Sequence, residues 1–259
     1  TGTIEQPVLA KKGDDIRIDW GYFYIASKAK PNTTMSIGKP ALLREEFITE
    51  GKFKTNFDNT LPQEMFIQMT GLSVANDLGK VGEEPVSDFI MIGYDDIYSI
   101  QYFGDNLQAY WKNNGKTDII QAFTDANKEY MSIMKKCRKF DRKLMEEAEK
   151  AGGEKYSELC ALVYRQSIVA HKLVVTKNGE LLFLSKENTS NGCINTVDVT
   201  YPSAPIFLLY NPDLMKGMLN GIFYYSESGK WTKPFPAHDI GTYTIANGQV
   251  YREDMPVEE

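Results

Sequence analysis

The sequence predicts an α+β, multi-domain protein, with strands toward the N-terminal end and helices after them. Three observations carry that expectation. A chain of 259 residues is long for one core and comfortable for two. Near the start, Ile16, Ile18 and Trp20 alternate with Arg17 and Asp19, the period of a half-buried strand. From Asp105 the apolar period lengthens to three or four residues, which is helical. The boundary therefore falls between 1–104, the trailing part of an antiparallel β-domain, and 105–259, a helical domain.

Taken in order, residues 14–26 read as strand, continued by Tyr22-Phe23-Tyr24-Ile25 and punctuated by Lys30-Pro31-Asn32. Residues 33–62 are turn-rich, with a short strand expected around Lys52–Phe57. Phe66–Val74 is a further strand, and Phe89–Ile92 with Ile97–Phe103 suggests a hairpin turning at Tyr94-Asp95-Asp96. Thr117 is the expected N-cap of a helix carrying Ile120, Phe123, Tyr130, Met134 and Cys137 on one face. Phe140-Asp141 marks a place where it could break, and Gly152-Gly153 stops it. Glu154–Val175 is apolar nearly all round, as a helix buried on every side would be, so Arg165, Gln166 and His171 need partners there. A turn at Lys177-Asn178-Gly179-Glu180 leads into an extended run, Leu181–Leu184. Asn211-Pro212-Asp213 sets an N-cap, a proline at the first helical position and an acid in the first turn, opening a helix to about Tyr225.

Two long polar stretches flank that helix. Ser185–Pro205 holds Asn188, Asn191, Gly192 and Asn195, which favour turns, and Pro202 and Pro205, which limit helix. Pro234–Tyr243 has the same character. Long loops held by helices are where sites usually lie, so the two are expected to line one small acidic pocket.

Composition narrows the chemistry. A net charge of −6 leaves no basic stripe to collect phosphates, and the run Lys135–Lys139 reads as a solvated helix face. No apolar run reaches the ~18 residues of a membrane span. Nucleic acid and membrane are therefore not expected partners. Cys137, Cys160 and Cys193 have no metal-ligand spacing, and no phosphate loop, dinucleotide fingerprint or EF-hand is present, so no metal and no cofactor is expected. Thr1 is not an initiator residue, so the chain is expected to be a processed or excised piece.

Several strings resemble a known family: Tyr94–Gly104, Tyr164-Arg165-Gln166, Glu187-Asn188, Asn195-Thr196-Val197-Asp198, Tyr201-Pro202 and Ala237–Tyr243. Together they are similar to the glutaminase A-like proteins, secreted proteins of fungi and of Bacteroides-type bacteria. The resemblance covers nearly the whole chain. It implies that 1–104 is the C-terminal part of a β-sandwich and 105–259 the first part of an (α/α)6 six-hairpin toroid, as in glucoamylase-type glycosidases. It also implies a secreted or periplasmic location and a longer protein whose remainder packs against this chain. It brings no established catalytic residues.

Three functions stay open. A hydrolase with paired carboxylates would use Glu187, Asp198 and Asp239, one as acid and one as base, on glutamine or on a saccharide, with Asp95 and Asp96 as outsiders. Substrate contacts are expected from His238, Asn188, Tyr201, Arg165 and Trp231. An amidase using a side-chain nucleophile would need Cys193 or Ser190 beside His238. A non-catalytic binding module would use aromatics such as Trp111, Trp231, Tyr201, Tyr224, Tyr225 and Tyr243.

Overall fold

The computed structural model describes residues 2, 7–14, 18–60, 62–63 and 69–252. Helices and several small sheets are interspersed, an α+β architecture. The chain folds as two compact units, one of Thr1–Glu5 and Tyr22–Asp95, the other of Gln6–Gly21 and Asp96–Glu259.

In the first unit, β1 (Tyr22–Ala26) pairs antiparallel with β4 (Met91–Asp95), and β2 (Thr33–Gly38) with β3 (Gly71–Asn76). Between β2 and β3 lies α1 (Pro40–Glu50), in a stretch expected to be turns. Its ends are written in the sequence: Pro40 stands at the start, and Gly51 at φ 68° closes it by donating to Phe47 O at 2.9 Å. Leu43 is its one buried side chain. The strand expected at Lys52–Phe57 is only a bridge from Phe57 to Ile37. Residues 15–17 and 66–68 of the two longer expected strands lie outside the described residues; what is described there begins at Tyr22 and Gly71.

The second unit holds β5 (Ile100–Tyr102), β6 (Asp105–Leu107), α2 (Ile119–Gly152), α3 (Glu154–Val169), β7 (His171–Val175), β8 (Leu181–Ser185), α4 (Val197–Tyr210), α5 (Pro212–Glu227) and β9 (Ile245–Ala246). β5 pairs antiparallel with β6 and parallel with β9, so the expected hairpin between 89–92 and 97–103 does not form. Asp118, one residue past the expected cap, starts α2 by accepting Gln121 N at 2.7 Å. The helix passes Phe140 unbroken and stops at Gly153, whose N–H donates to Glu149 O at 2.7 Å.

The region expected as one buried helix, Glu154–Val175, is instead a helix followed by a strand. In α3 only Ser157 is buried, while Leu159, Leu162 and Val169 are 53%, 51% and 70% exposed. The β-branched run after Ala170 pairs with β8 in a hairpin, because Val174 and Leu182 can both enter the core there. α5 packs on β8 through two glycines one turn apart: a Cβ at Gly217 would sit 3.1 Å from Phe183 N, and one at Gly221 3.3 Å from Leu184 Cδ2.

The second half of the expected loop Ser185–Pro205 is helix, for α4 takes Pro202 and Pro205 in its interior. Each proline removes one i→i−4 bond. The helix forms because Thr200 and Phe207 bury one side of it, Phe207 packing on Phe183 and Met218. The irregular segment is thus Lys186–Thr196. Residues from both polar stretches enter the main core, with Ile194, Ala237, Ile240 and Tyr243 packed among Ile100, Leu182, Leu184 and Ile222.

Candidate functional site

The two polar stretches are laced together by their main chains. Ile194 N donates to Gly241 O at 2.8 Å and Ile240 N returns a bond to Ile194 O at 3.1 Å. Val197 N donates to His238 O at 3.0 Å and Tyr243 N to Gly192 O at 2.9 Å. Gly241 has to be glycine on two counts: its φ is 146°, and a Cβ there would lie 2.1 Å from Ile245 O.

Asp239 sits at the centre of this arrangement, with no exposed surface. Its Oδ1 accepts Gly241 N at 2.9 Å and Val250 N at 3.1 Å; its Oδ2 accepts Tyr251 N at 3.3 Å and faces His238 Nδ1 at 3.0 Å. The Cys193 thiol lies within 4.8 Å of it. A carboxylate with every lone pair occupied braces a loop. His238 is buried, stacked on Tyr251 at 4.3 Å, and takes Gln249 Oε1 on its backbone N–H at 2.9 Å.

Cys193, His238 and Asp239 bring their ligand-capable atoms within 4.8 Å of one another, the one such group among the described residues. A cation there would have to displace the donors on Asp239. Nor is the thiol poised as a nucleophile: burial, with Asp239, Glu187 and Asp198 nearby, pushes it up to about 12. Ser190, the other candidate nucleophile, is exposed.

The other two expected carboxylates differ from Asp239. Glu187 is half-buried and accepts Thr196 Oγ1 at 3.3 Å; Asp198 is exposed in the first turn of α4. Both contribute to raising the Cys193 thiol pKa, and of the three carboxylates Asp239 alone is fully enclosed. The remaining candidates scatter. Asn188 is exposed and donates to Lys186 O at 3.1 Å, Tyr201 is 82% exposed on α4, and Arg165 is exposed on α3. Trp231 is a core residue, stacked obliquely on Tyr225 with its indole N–H on Phe235 O. Asp96 is buried, accepting Ser99 Oγ at 2.8 Å and paired with Lys172 at 3.1 Å.

Both stretches do reach one cleft, and its walls are cationic. It measures about 290 Å³ and is lined by His171, Lys172, Lys186, Asn188 and Tyr243, with Ile18, Val169 and Ala170. None of Glu187, Asp198 and Asp239 lines it, so the acidic hollow expected between the loops is not this one. Burial works against the Lys172 charge, but Tyr243 and Asp96 outweigh it and hold its pKa above the ordinary lysine value. Burial raises the Tyr243 hydroxyl pKa. Burial lowers the His171 pKa, and its Nδ1 is held by Ser167 O at 2.5 Å. Nothing in the sequence pattern marked Lys172 or Lys186; they meet only because β7 and β8 pair in register, Lys172 opposite Leu184.

The family described as the glutaminase A six helical-hairpin domain matches residues 153–259, and a domain of unknown function, DUF5127, matches residues 1–147. The chain is 30% identical over 249 residues to glutaminase A of Aspergillus oryzae, which covers 93% of this chain and 36% of that protein. It is 27% identical over 259 residues to a probable glutaminase of Arthroderma benhamiae, covering 94% of this chain and 29% of that one. The chain thus spans about a third of the length of the curated relatives it matches. No solved structure matches it.

Proposed function

We propose that this chain, which belongs to the glutaminase A-like family, is the part of a hydrolase that supplies carboxylates for cleaving the side-chain amide of glutamine. The observation that supports this reading is the placement of Glu187, half-buried and bonded to Thr196 Oγ1 at 3.3 Å, on the irregular segment that leads into α4, whose exposed first turn carries Asp198. One carboxylate takes a proton from water as it adds to the amide carbon. The other returns a proton to the nitrogen, so that ammonia leaves and a carboxylate remains. Asp239 braces the stretch that carries His238, bonded to Gly241, Val250 and Tyr251, and takes no part in the proton transfers. On the same reading the first unit is the end of a β-sandwich, α2–α5 begin an (α/α)6 toroid, the remainder of a longer, secreted or periplasmic protein packs against them, and the substrate is a small molecule.

The test is ammonia release from L-glutamine by the full-length protein. Glu187→Gln and Asp198→Asn are each expected to lower kcat by roughly 10²–10⁴-fold, the usual worth of a positioned acid or base. Undiminished turnover in both variants would discard the pair. Turnover of an aryl glycoside and not of glutamine would move the same carboxylates to glycoside hydrolysis.

A further inference from the structure

The cationic cleft holds an ammonium for which no ion pair forms among the described residues. Lys186 Nζ is fixed by Asp14 O at 2.7 Å and lies 5.3 Å from the centre of the Tyr243 ring. Asp14 holds that ammonium through its backbone carbonyl, while its carboxylate Oδ1 accepts Thr189 N at 3.0 Å. Lys172, the second cation in the wall, already has its carboxylate in Asp96. Lys186 is therefore a placed positive charge, oriented by a neutral carbonyl and an aromatic face, that no carboxylate answers among the described residues. An ammonium half-withdrawn from water gains most from a small anion that can lie against it. The cleft, at about 290 Å³, has room for a few heavy atoms beside it.

We propose that this cleft is a subsite for a small organic carboxylate, bound at Lys186 with Lys172 behind it, and that in the reaction proposed above it takes the α-carboxylate of glutamine. The second clause rests on the amide-hydrolase reading; the first does not. Asn188 stands at the rim, its amide donating to Lys186 O at 3.1 Å, and Glu187 lies between the two in sequence. Recognition then falls to the cations of the cleft and chemistry to Glu187 and Asp198.

The experiment compares L-glutamine with L-glutaminamide, which lacks the α-carboxylate, in the full-length protein. In Lys186→Met the ratio of kcat/KM for glutamine over glutaminamide is expected to fall roughly 10–100-fold, the worth of one charge-assisted hydrogen bond. A general loss of folded protein would lower both substrates together and leave the ratio alone. Lys186→Arg should keep the ratio within a few-fold. An unchanged ratio in Lys186→Met overturns the subsite. If neither amide is turned over, the hydrolase reading fails, and calorimetric titration with L-glutamate decides the subsite separately. Binding weakened at least tenfold by Lys186→Met supports it; equal binding overturns it. Displacement of L-glutamate by sulfate at equal concentration would mark a general anion site and overturn the carboxylate assignment.

Discussion

His171 shows how one half-buried ring couples the fold to pH. It stacks on Phe183 at 4.3 Å, meets Phe207 edge-on at 5.4 Å, and gives its Nδ1 proton to Ser167 O. Its Nε2 is buried with no partner among the described residues. Burial lowers its pKa, so as pH falls below the unfolded value of about 6.5 the unfolded chain binds a proton that the folded one refuses. Its contribution is therefore intact above that pH and lost below it, by up to about 1.4 kcal/mol per pH unit. Urea denaturation at pH 7.5 and 5.5 should show His171→Phe, which keeps the ring stack, losing less stability on acidification than the parent does. Equal losses would mean that His171 is as easily protonated folded as unfolded. Asp239 is the contrasting case, a carboxylate whose sequence neighbourhood suggested catalysis and whose donors make it a brace. Nothing in Ala237-His238-Asp239-Ile240 distinguishes the two roles, because the bonds from Val250 and Tyr251 depend on how the chain returns.

At the scale of elements, the readable features were those with local causes. Asn211-Pro212-Asp213 opens α5 as its residues dictate, with Asn211 Oδ1 accepting Leu214 N at 3.4 Å. Asn211→Ala should destabilise the protein by about 1 kcal/mol without changing the slope of its urea transition; no change in midpoint would show that the long bond contributes nothing. The Gly-rich stop of α2 was legible for the same reason. Two helices were not. α1 was hidden by a weak apolar pattern, and only its Pro and Gly ends announced it. α4 was hidden by Pro202 and Pro205, whose local preference lost to the burial of Phe207 against Phe183 and Met218. α3 errs in the other direction: its apolar composition argued for burial, and much of that surface is exposed. Composition reports what a helix could bury and is silent on what it meets. The convergence of the two polar stretches was legible from their character. The sign of the cleft they reach was not, since Lys172 and Lys186 come together through a strand pairing.

Over the whole molecule, sequence order and spatial grouping part company. Strands do precede the long helices, as the change of period indicated, yet the compact unit around the site also takes in residues 6–21, from before the first strand. That segment is bonded to both walls of the site: Gly13 N donates to Tyr243 O at 2.8 Å, Thr244 Oγ1 to Lys11 O at 3.1 Å, and Lys186 Nζ and Thr189 N both reach Asp14. It works as a clasp supplied from far upstream, and it lies within the stretch matched by one family description while the loops it fastens lie within the other. A chain started at Asp96 would keep every helix of this unit and lose the clasp. Its Tyr243 and Lys186 should then become more accessible, to acetylating reagents for instance, than in the full sequence; equal labelling would show that the loops hold each other unaided. The consequence reaches past stability: the boundary between the two matched families is not a seam along which this protein can be taken apart, and any exchange of one half between relatives must carry the matching upstream strap with it.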